Sequence, residues 1–243
     1  MPGKTPMRGR HQPGGLIILY EDKDILVVNK APGLLTMGTE KERERTAYSR
    51  LMDYVRKGNA KSRQRVFIVH RLDREVSGLL VFAKTNEAKM TLQRQWKEAE
   101  KKYLAVVHGK MKDAMGTITS YLAENASHVV FSVPDRQKGK LAHTGYRVLK
   151  ETKTNSLLEI TLITGRKHQI RVHLAETGHP VVGDKKYGRQ DKSSGRLALH
   201  ACLLAFDHPF SGERVAFEAP VPVYFNKLMG GERHPKSSTG LQE

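Results

Sequence analysis

Apolar residues in this chain fall into short runs rich in β-branched and aromatic side chains, not into long one-sided stripes. Leu16–Tyr20 and Ile25–Asn29, joined by the charged turn Glu21-Asp22-Lys23-Asp24, predict a strand pair. Val66–Val69 and Leu79–Ala83 predict two more, each with at least one well-buried face. Lys101–Gly109, Gly116–Leu122, His128–Val133, Leu141–Leu149 and Leu157–Ile163 continue the strand series, and Leu197–Phe206 is a further, largely apolar run. Helical spacing appears in Lys41–Lys57, with Ala47, Leu51, Tyr54 and Val55 on one face. It returns in Asn86–Glu100, with Ala88, Leu92, Trp96 and Ala99 as the buried stripe and Thr85 or Asn86 as cap. Thr164–Leu174 fits both periods. Ile170, Val172 and Leu174 alternate like a strand, but Thr164 as a cap and Glu176-Thr177-Gly178 before Pro180 favour a helix. Many short strands with a few interspersed helices predict an α+β domain.

The ends differ from the middle. Residues 1–15 are basic and rich in Pro and Gly and predict a flexible arm; residues 230–243 are polar and predict a flexible tail. Residues 16–229 are left as one domain. Charge changes the picture most. The 42 Lys and Arg against 25 Asp and Glu give +17, well beyond the roughly 2–8 that solubility needs, so a polyanion, and nucleic acid above all, is the expected partner. No apolar stretch approaches the ~18–20 residues of a membrane span, and no signal-peptide region opens the chain. A cytoplasmic protein with no membrane partner, acting as a monomer, is expected. Cys202 is the only cysteine, which excludes an intrachain disulfide and a cysteine metal cluster; its apolar setting predicts a packed thiol.

Between the strands at Val66–Val69 and Leu79–Ala83 sits His70-Arg71-Leu72-Asp73-Arg74-Glu75, a charged turn directly against the core. A carboxylate there is either held by a cation or pushed to a raised pKa. On spacing alone, Asp73 reads equally well as a turn cap paired with Arg71 or Arg74.

HRLDREVSG followed by an apolar strand ending in AKT resembles the signature of the RluA-type pseudouridine synthases, with Val76 where that family has Thr. Other motifs follow in order. NKAPG at Asn29–Gly33 resembles the NKPxG element with its proline displaced by one. KKYLAVVHG at Lys101–Gly109 resembles KxYxAxVxG. TGRKHQIRVH at Thr164–His173 resembles TGRxHQIRVH, with Lys167 in place of Thr or Ser. GHPVVGDKKYG at Gly178–Gly188, LALHACLLAFDHP at Leu197–Pro209 and FEAPVP at Phe217–Pro222 complete a likeness running from Leu16 to Met229.

The resemblance implies a mixed, mainly antiparallel sheet with flanking helices and a central catalytic cleft. It implies Asp73 as the catalytic carboxylate, Tyr103 as the active-site tyrosine and Arg171 as the active-site arginine. His70, Arg71 and Arg74 around Asp73, Lys30 of the NKAPG turn, and Arg166, His168 and Gln169 of the later motif are expected to hold the RNA. The implied reaction isomerises a uridine of structured ribosomal or transfer RNA, which requires the base to leave its stack. Asp73 would act as nucleophile at the sugar or as base at its neighbouring carbon, and the residues leave both open. The basic tip Asp135–Lys140, with Arg136, Lys138 and Lys140, is a further expected phosphate contact.

Other chemistries lack their residues. His168 and His173 are five apart and point to different faces of a helix, His70, Asp73 and Ser77 lack a G-x-S-x-G elbow, and no phosphate-binding G-x-x-x-x-G-K-[ST] loop occurs. No metal and no cofactor are expected. The alternative is a basic RNA-binding or ribosome-assembly protein that has lost catalysis.

Overall fold

The structure, a computed structural model, describes residues 12–38, 42, 44–59, 61–188 and 195–230. Most of the expected arm and tail lies outside the described residues. The first hairpin forms as expected from β1 (Leu16–Glu21) and β2 (Ile25–Lys30). Asp22 closes it, its Oδ1 accepting the backbone N–H groups of Asp24 and Ile25 at 2.8 Å each. The first helix begins later than its periodicity suggested: α1 is Ala47–Arg56. Thr46, in extended backbone, caps it by accepting the Ser49 N–H, so the chain before it cannot be helical. β3 is only Phe67–Ile68, and β4 is Ser77–Ala83.

The second helix, α2 (Asn86–Arg94), has the expected Thr85 cap but ends at Gln95, short of Trp96 and Ala99. Those two still pack into the core, from a turn that leads into β5 (Glu100–His108). β6 (Met115–Glu124), β7 (Val130–Val133), β8 (Lys140–Glu151) and β9 (Asn155–Leu162) follow. The ambiguous segment is a helix, α3 (Gln169–Glu176), but it starts five residues after Thr164. Thr164 does not cap it; its hydroxyl donates to the Gln169 side-chain oxygen at 2.8 Å. β10 (Leu199–Asp207), β11 (Arg214–Glu218) and α4 (Val223–Leu228) complete the chain, and neither β11 nor α4 was expected as an element.

Among the described residues all eleven strands join one sheet, ordered β1-β2-β4-β10-β5-β9-β8-β6-β7, with β11 on β10 and β3 on β4. Only the β4–β10 pair is parallel, so the fold is the expected mixed, mainly antiparallel α+β arrangement. Its middle explains why β2 and β4 read as unbroken apolar runs. Leu26, Val28, Leu80 and Phe82 point to a core shared with α1, α3 and α4. Ile25, Val27, Leu79, Val81 and Ala83 point to the opposite core under α2. Both faces are covered, so the period-2 signal is erased.

The parallel pair is brief, His200↔Ser77 and Ala201↔Gly78. Gly78 is required there: its φ is +114°, and a Cβ would stand 2.2 Å from the Ala201 carbonyl oxygen. This close approach sets the start of β4, and with it the loop that carries Asp73.

Candidate active site

Asp73 lies in the loop from β3 to β4, at the edge of the core face that carries α3. One of its oxygens, Oδ2, accepts Nη1–H of Arg171 at 3.1 Å. Arg171 projects from the first turn of α3 and is 8 % exposed. Its other nitrogens form a fork on Asp184, Nε to Oδ2 at 2.7 Å and Nη2 to Oδ1 at 2.8 Å. Asp184 also accepts the backbone N–H groups of Lys186 and Tyr187. Burial alone would raise its carboxyl, but Arg171 and these N–H groups outweigh that and hold it below the usual carboxylate range. For Arg171 burial works against the charge, and Asp184 and Asp73 override it upward. The guanidinium is therefore permanently charged and fixed in orientation, which fixes Asp73 in turn.

His168 adds a second group to Asp73. Its backbone is left-handed, at φ 53°, which puts Nε2 3.6 Å from Asp73 Oδ2 and Nδ1 2.7 Å from the Tyr187 hydroxyl. That hydroxyl already accepts the Val130 N–H at 3.0 Å, so its own proton is free to go to Nδ1. A neutral His168 then carries its proton on Nε2, facing Asp73. Burial lowers the His168 pKa, against the raising pull of Asp73, so the neutral ring is the form at neutral pH. Asp73 Oδ1 accepts no hydrogen bond among the described residues.

Tyr103, on β5, stands in the same pocket and is 8 % exposed. Burial, followed by the charge of Asp73, drives its phenol pKa upward, so it is a neutral aromatic wall with a hydroxyl proton to give. Val76, Leu162, Ile170 and Leu199 complete an apolar lining around a volume of about 100 Å³. Val76, the departure from the family pattern, is thus a buried apolar wall. This pocket opens into a cleft of about 1020 Å³ lined by Arg71, Arg74, Lys97, Lys101, Arg166 and Lys167. Asp73 is the one acidic side chain among the described residues lining it.

Not every expected binding residue reaches the cleft. Lys30 is fully buried, and its ammonium donates to the carbonyls of Ala31, Leu34 and Arg74 at 3.0, 2.8 and 3.2 Å. Three acceptors match its three donors, so it braces the Asp73 loop from behind and has nothing left for RNA. Burial lowers its pKa to about 7, with Glu75 and Asp73 pulling the other way. Gln169 is likewise turned inward, donating to the His143 carbonyl and the Thr144 hydroxyl at 2.9 Å each and accepting from Thr164 and Arg166. It ties the 164–168 loop to β8.

His70 walls the cleft but is spent on structure. Burial drops its pKa to about 3; its Nε2 accepts the Val81 N–H at 3.2 Å and its ring packs on Trp96 at 4.5 Å. Arg71 is exposed at the mouth, Arg74 pairs with Glu42 at 2.5 Å, and Arg166 Nε donates to the Leu141 carbonyl at 3.3 Å. Lys167 meets Glu124 at the rim. Asp184 and Tyr187 were missed as site residues. The signal for Asp184 was available: a buried guanidinium with five donors needs more than one carboxylate.

Residues 24–176 match the family model described as RNA pseudouridylate synthase, a span that contains Asp73, Tyr103 and Arg171. The chain belongs to this family. The synthase is 35 % identical over 227 residues to the RNA pseudouridine synthase YjbO of Bacillus subtilis, covering 92 % of this chain and 78 % of that one. It is 37 % identical over 250 residues to ribosomal large subunit pseudouridine synthase D of Nitrosomonas europaea, covering 97 % and 72 %. Among solved structures it is similar to human RNA pseudouridylate synthase domain containing 1, with a TM-score of 0.70, 27 % identity and coverage of 87 % and 85 %. The synthase is therefore an isomerase acting on RNA. Among its described residues no helix is long and apolar enough to cross a membrane.

Proposed function

We propose that the synthase isomerises a uridine within structured ribosomal or transfer RNA, with Asp73 as its catalytic carboxylate, working as a monomer in the cytoplasm where such RNA is used. The observation that carries this is the single acid at the bottom of a cleft otherwise edged with cations, with one of its two oxygens held by Arg171. The cations suit phosphates and Asp73 does not, so the carboxylate is there for the nucleoside.

A pocket of about 100 Å³ is far too small for a duplex, so the uridine enters extruded from its stack. Tyr103 and the aliphatic walls take the two faces of the base. Asp73 Oδ1 meets the sugar, as a nucleophile at carbon 1′ or as a base at carbon 2′, while Oδ2 stays with Arg171 and His168. The bond from nitrogen 1 of uracil to the sugar breaks, the ring turns in the apolar pocket, and carbon 5 forms the new bond. Carbon 5 gives up its proton and nitrogen 1 gains one, so the conversion is redox-neutral and balanced.

The relative named for the large ribosomal subunit favours ribosomal RNA as the first substrate to try. The purified protein, incubated with unmodified transcripts of large-subunit ribosomal RNA and of transfer RNAs, should place pseudouridine at specific uridines in one of these pools. Pseudouridine in neither pool would remove the substrate assignment.

A further inference from the structure

The catalytic cleft does not use the most basic stretch of the chain. Between Asp53 and Asp73 there is no acidic residue, while Arg56, Lys57, Lys61, Arg63 and Arg65 crowd the connection from α1 to β3. Lys57, Lys61, Arg63 and Arg65 are exposed, and among the described residues none of them makes an ion pair. The loop borders a groove of about 1150 Å³, into which Arg50, Arg56, Lys57 and Lys84 also face. Its acids are Asp53 and Glu21, and Glu21 is neutralised by Lys84 at 2.8 Å. The Nε of Arg56 is buried and without a hydrogen-bond partner, an unmet donor in the groove wall.

The position of this surface gives it meaning. Lys84, at the groove, follows the end of β4, whereas the Asp73 loop precedes its start at Ser77. Six steps of strand separate the two ends, about 20 Å at ~3.3 Å per residue. β3 bridges the same interval: Ile68, Val69 and His70 line the catalytic cleft, and Arg65 stands just before β3. The exposed cations up to Arg65 thus stand at the far end of β3 from the cleft, with the apolar run Val66-Phe67-Ile68-Val69 between them. That distance spans several nucleotides of an RNA strand. One extruded nucleotide with its immediate neighbours cannot reach that far, but the stem next to a loop can.

We infer that residues 57–59 and 61–65 and the groove beside them are a second phosphate-contacting surface, which grips the stem of a folded RNA while the cleft takes a nucleotide from its loop. This rests on the reading of the protein as an RNA synthase and adds the shape of the substrate: a uridine presented beside a helix, not in an isolated single strand.

The test measures binding, so it does not depend on turnover. Wild-type protein and the triple variant Lys61→Gln/Arg63→Gln/Arg65→Gln are titrated across salt with a uridine-loop stem-loop RNA and with an oligonucleotide carrying the loop alone. Three lost phosphate contacts should lower the slope of log affinity against log salt by about 2–3 on the stem-loop and leave it unchanged on the loop oligonucleotide. An unchanged slope on the stem-loop overturns the proposal. An equal loss on both RNAs also overturns it, since the loop would then be acting through the cleft. Thermal melting of the variant confirms that exposed positions were changed without loss of the fold. A wild type that binds with this slope difference yet makes no pseudouridine would defeat the proposed reaction and leave this surface standing.

Discussion

Arg171 is bound more closely to Asp184 than to Asp73. It spends two nitrogens on Asp184, at 2.7 and 2.8 Å, and one on Asp73, at 3.1 Å. Asp184 has no exposed side-chain surface, whereas the Asp73 side chain is 29 % exposed. The arginine is therefore anchored from behind and presented forward, with the anchoring partner hidden and the presented one open to substrate.

Removing either partner should have unequal effects on stability. Arg171→Ala strands the buried Asp184 charge and should cost about 3–5 kcal/mol. In double-mutant cycles by denaturant unfolding, Arg171 with Asp184 should couple by about 1–3 kcal/mol, and Arg171 with Asp73 by clearly less. The reverse order would contradict the anchoring role. Because the Asp184 carboxyl is depressed, its contribution is present above the ordinary value of 3.8 and lost as pH falls below it. The stability gap between wild type and Asp184→Asn should accordingly close in acid.

Lys30 gives a pH signature of the same sign in a separate, alkaline window. Its pKa falls from 10.5 to about 7 on folding, so between these values the unfolded chain holds the proton that the folded one has released. Stability should rise with pH across that window in the wild type relative to Lys30→Met. The comparison cancels the titration of other groups. Parallel stability curves for the two proteins would mean that Lys30 keeps its proton throughout.

His168 is expected to act on Asp73 and not on the RNA. Asn tolerates the left-handed backbone at this position, so His168→Asn should fold. At 3.6 Å the Nε2–Oδ2 contact is longer than a formed hydrogen bond and is expected to tighten when the base docks, so its loss should lower kcat about 10-fold with KM nearly unchanged. Tyr187→Phe, which frees the tautomer, should fall between the two proteins and shift the acid limb of the kcat profile. The charged groups facing that ring are Asp73, Arg171, Lys167 and Lys186. A rise in KM with kcat preserved would make His168 a simple RNA contact.

The tip between β7 and β8 is the other expected phosphate contact. Lys138 is loosely paired with Asp135 at 3.8 Å, and Lys140 adjoins Leu141, whose carbonyl accepts from Arg166. Neutralising Arg136, Lys138 and Lys140 together should reduce the salt slope by about 2–3 and raise KM, with kcat unaltered. An unaltered slope would mean that the tip faces away from RNA.

What was legible in the sequence followed from period and motif. Short apolar runs announced β1, β2 and β4, as the Thr85 cap and the Asp73 turn announced themselves, whereas the largely exposed β11 carried no such run. Helix boundaries failed where a side chain had two uses: Thr164 reads as a cap but hydrogen-bonds Gln169, and Thr46 ends a helical pattern that runs on before it. Lys30 and Gln169 read as substrate ligands because both are polar and lie in functional motifs. Only three-dimensional packing reveals that their polar atoms are already satisfied by main-chain carbonyls. Asp184 was hidden for a related reason, since its partner lies 13 residues away and the pairing depends on how the loop after α3 folds back.

The most direct measurement is pseudouridine formation by Asp73→Asn, on the RNA that the wild type modifies. The substitution keeps the shape of the side chain and removes its charge, so the protein should fold and bind RNA as the wild type does. Pseudouridine should fall by at least the ~10²–10⁴-fold that a single acid–base group contributes, to background if Asp73 is the nucleophile. Turnover at the wild-type rate by the purified variant would contradict the assignment of Asp73 as the catalytic carboxylate.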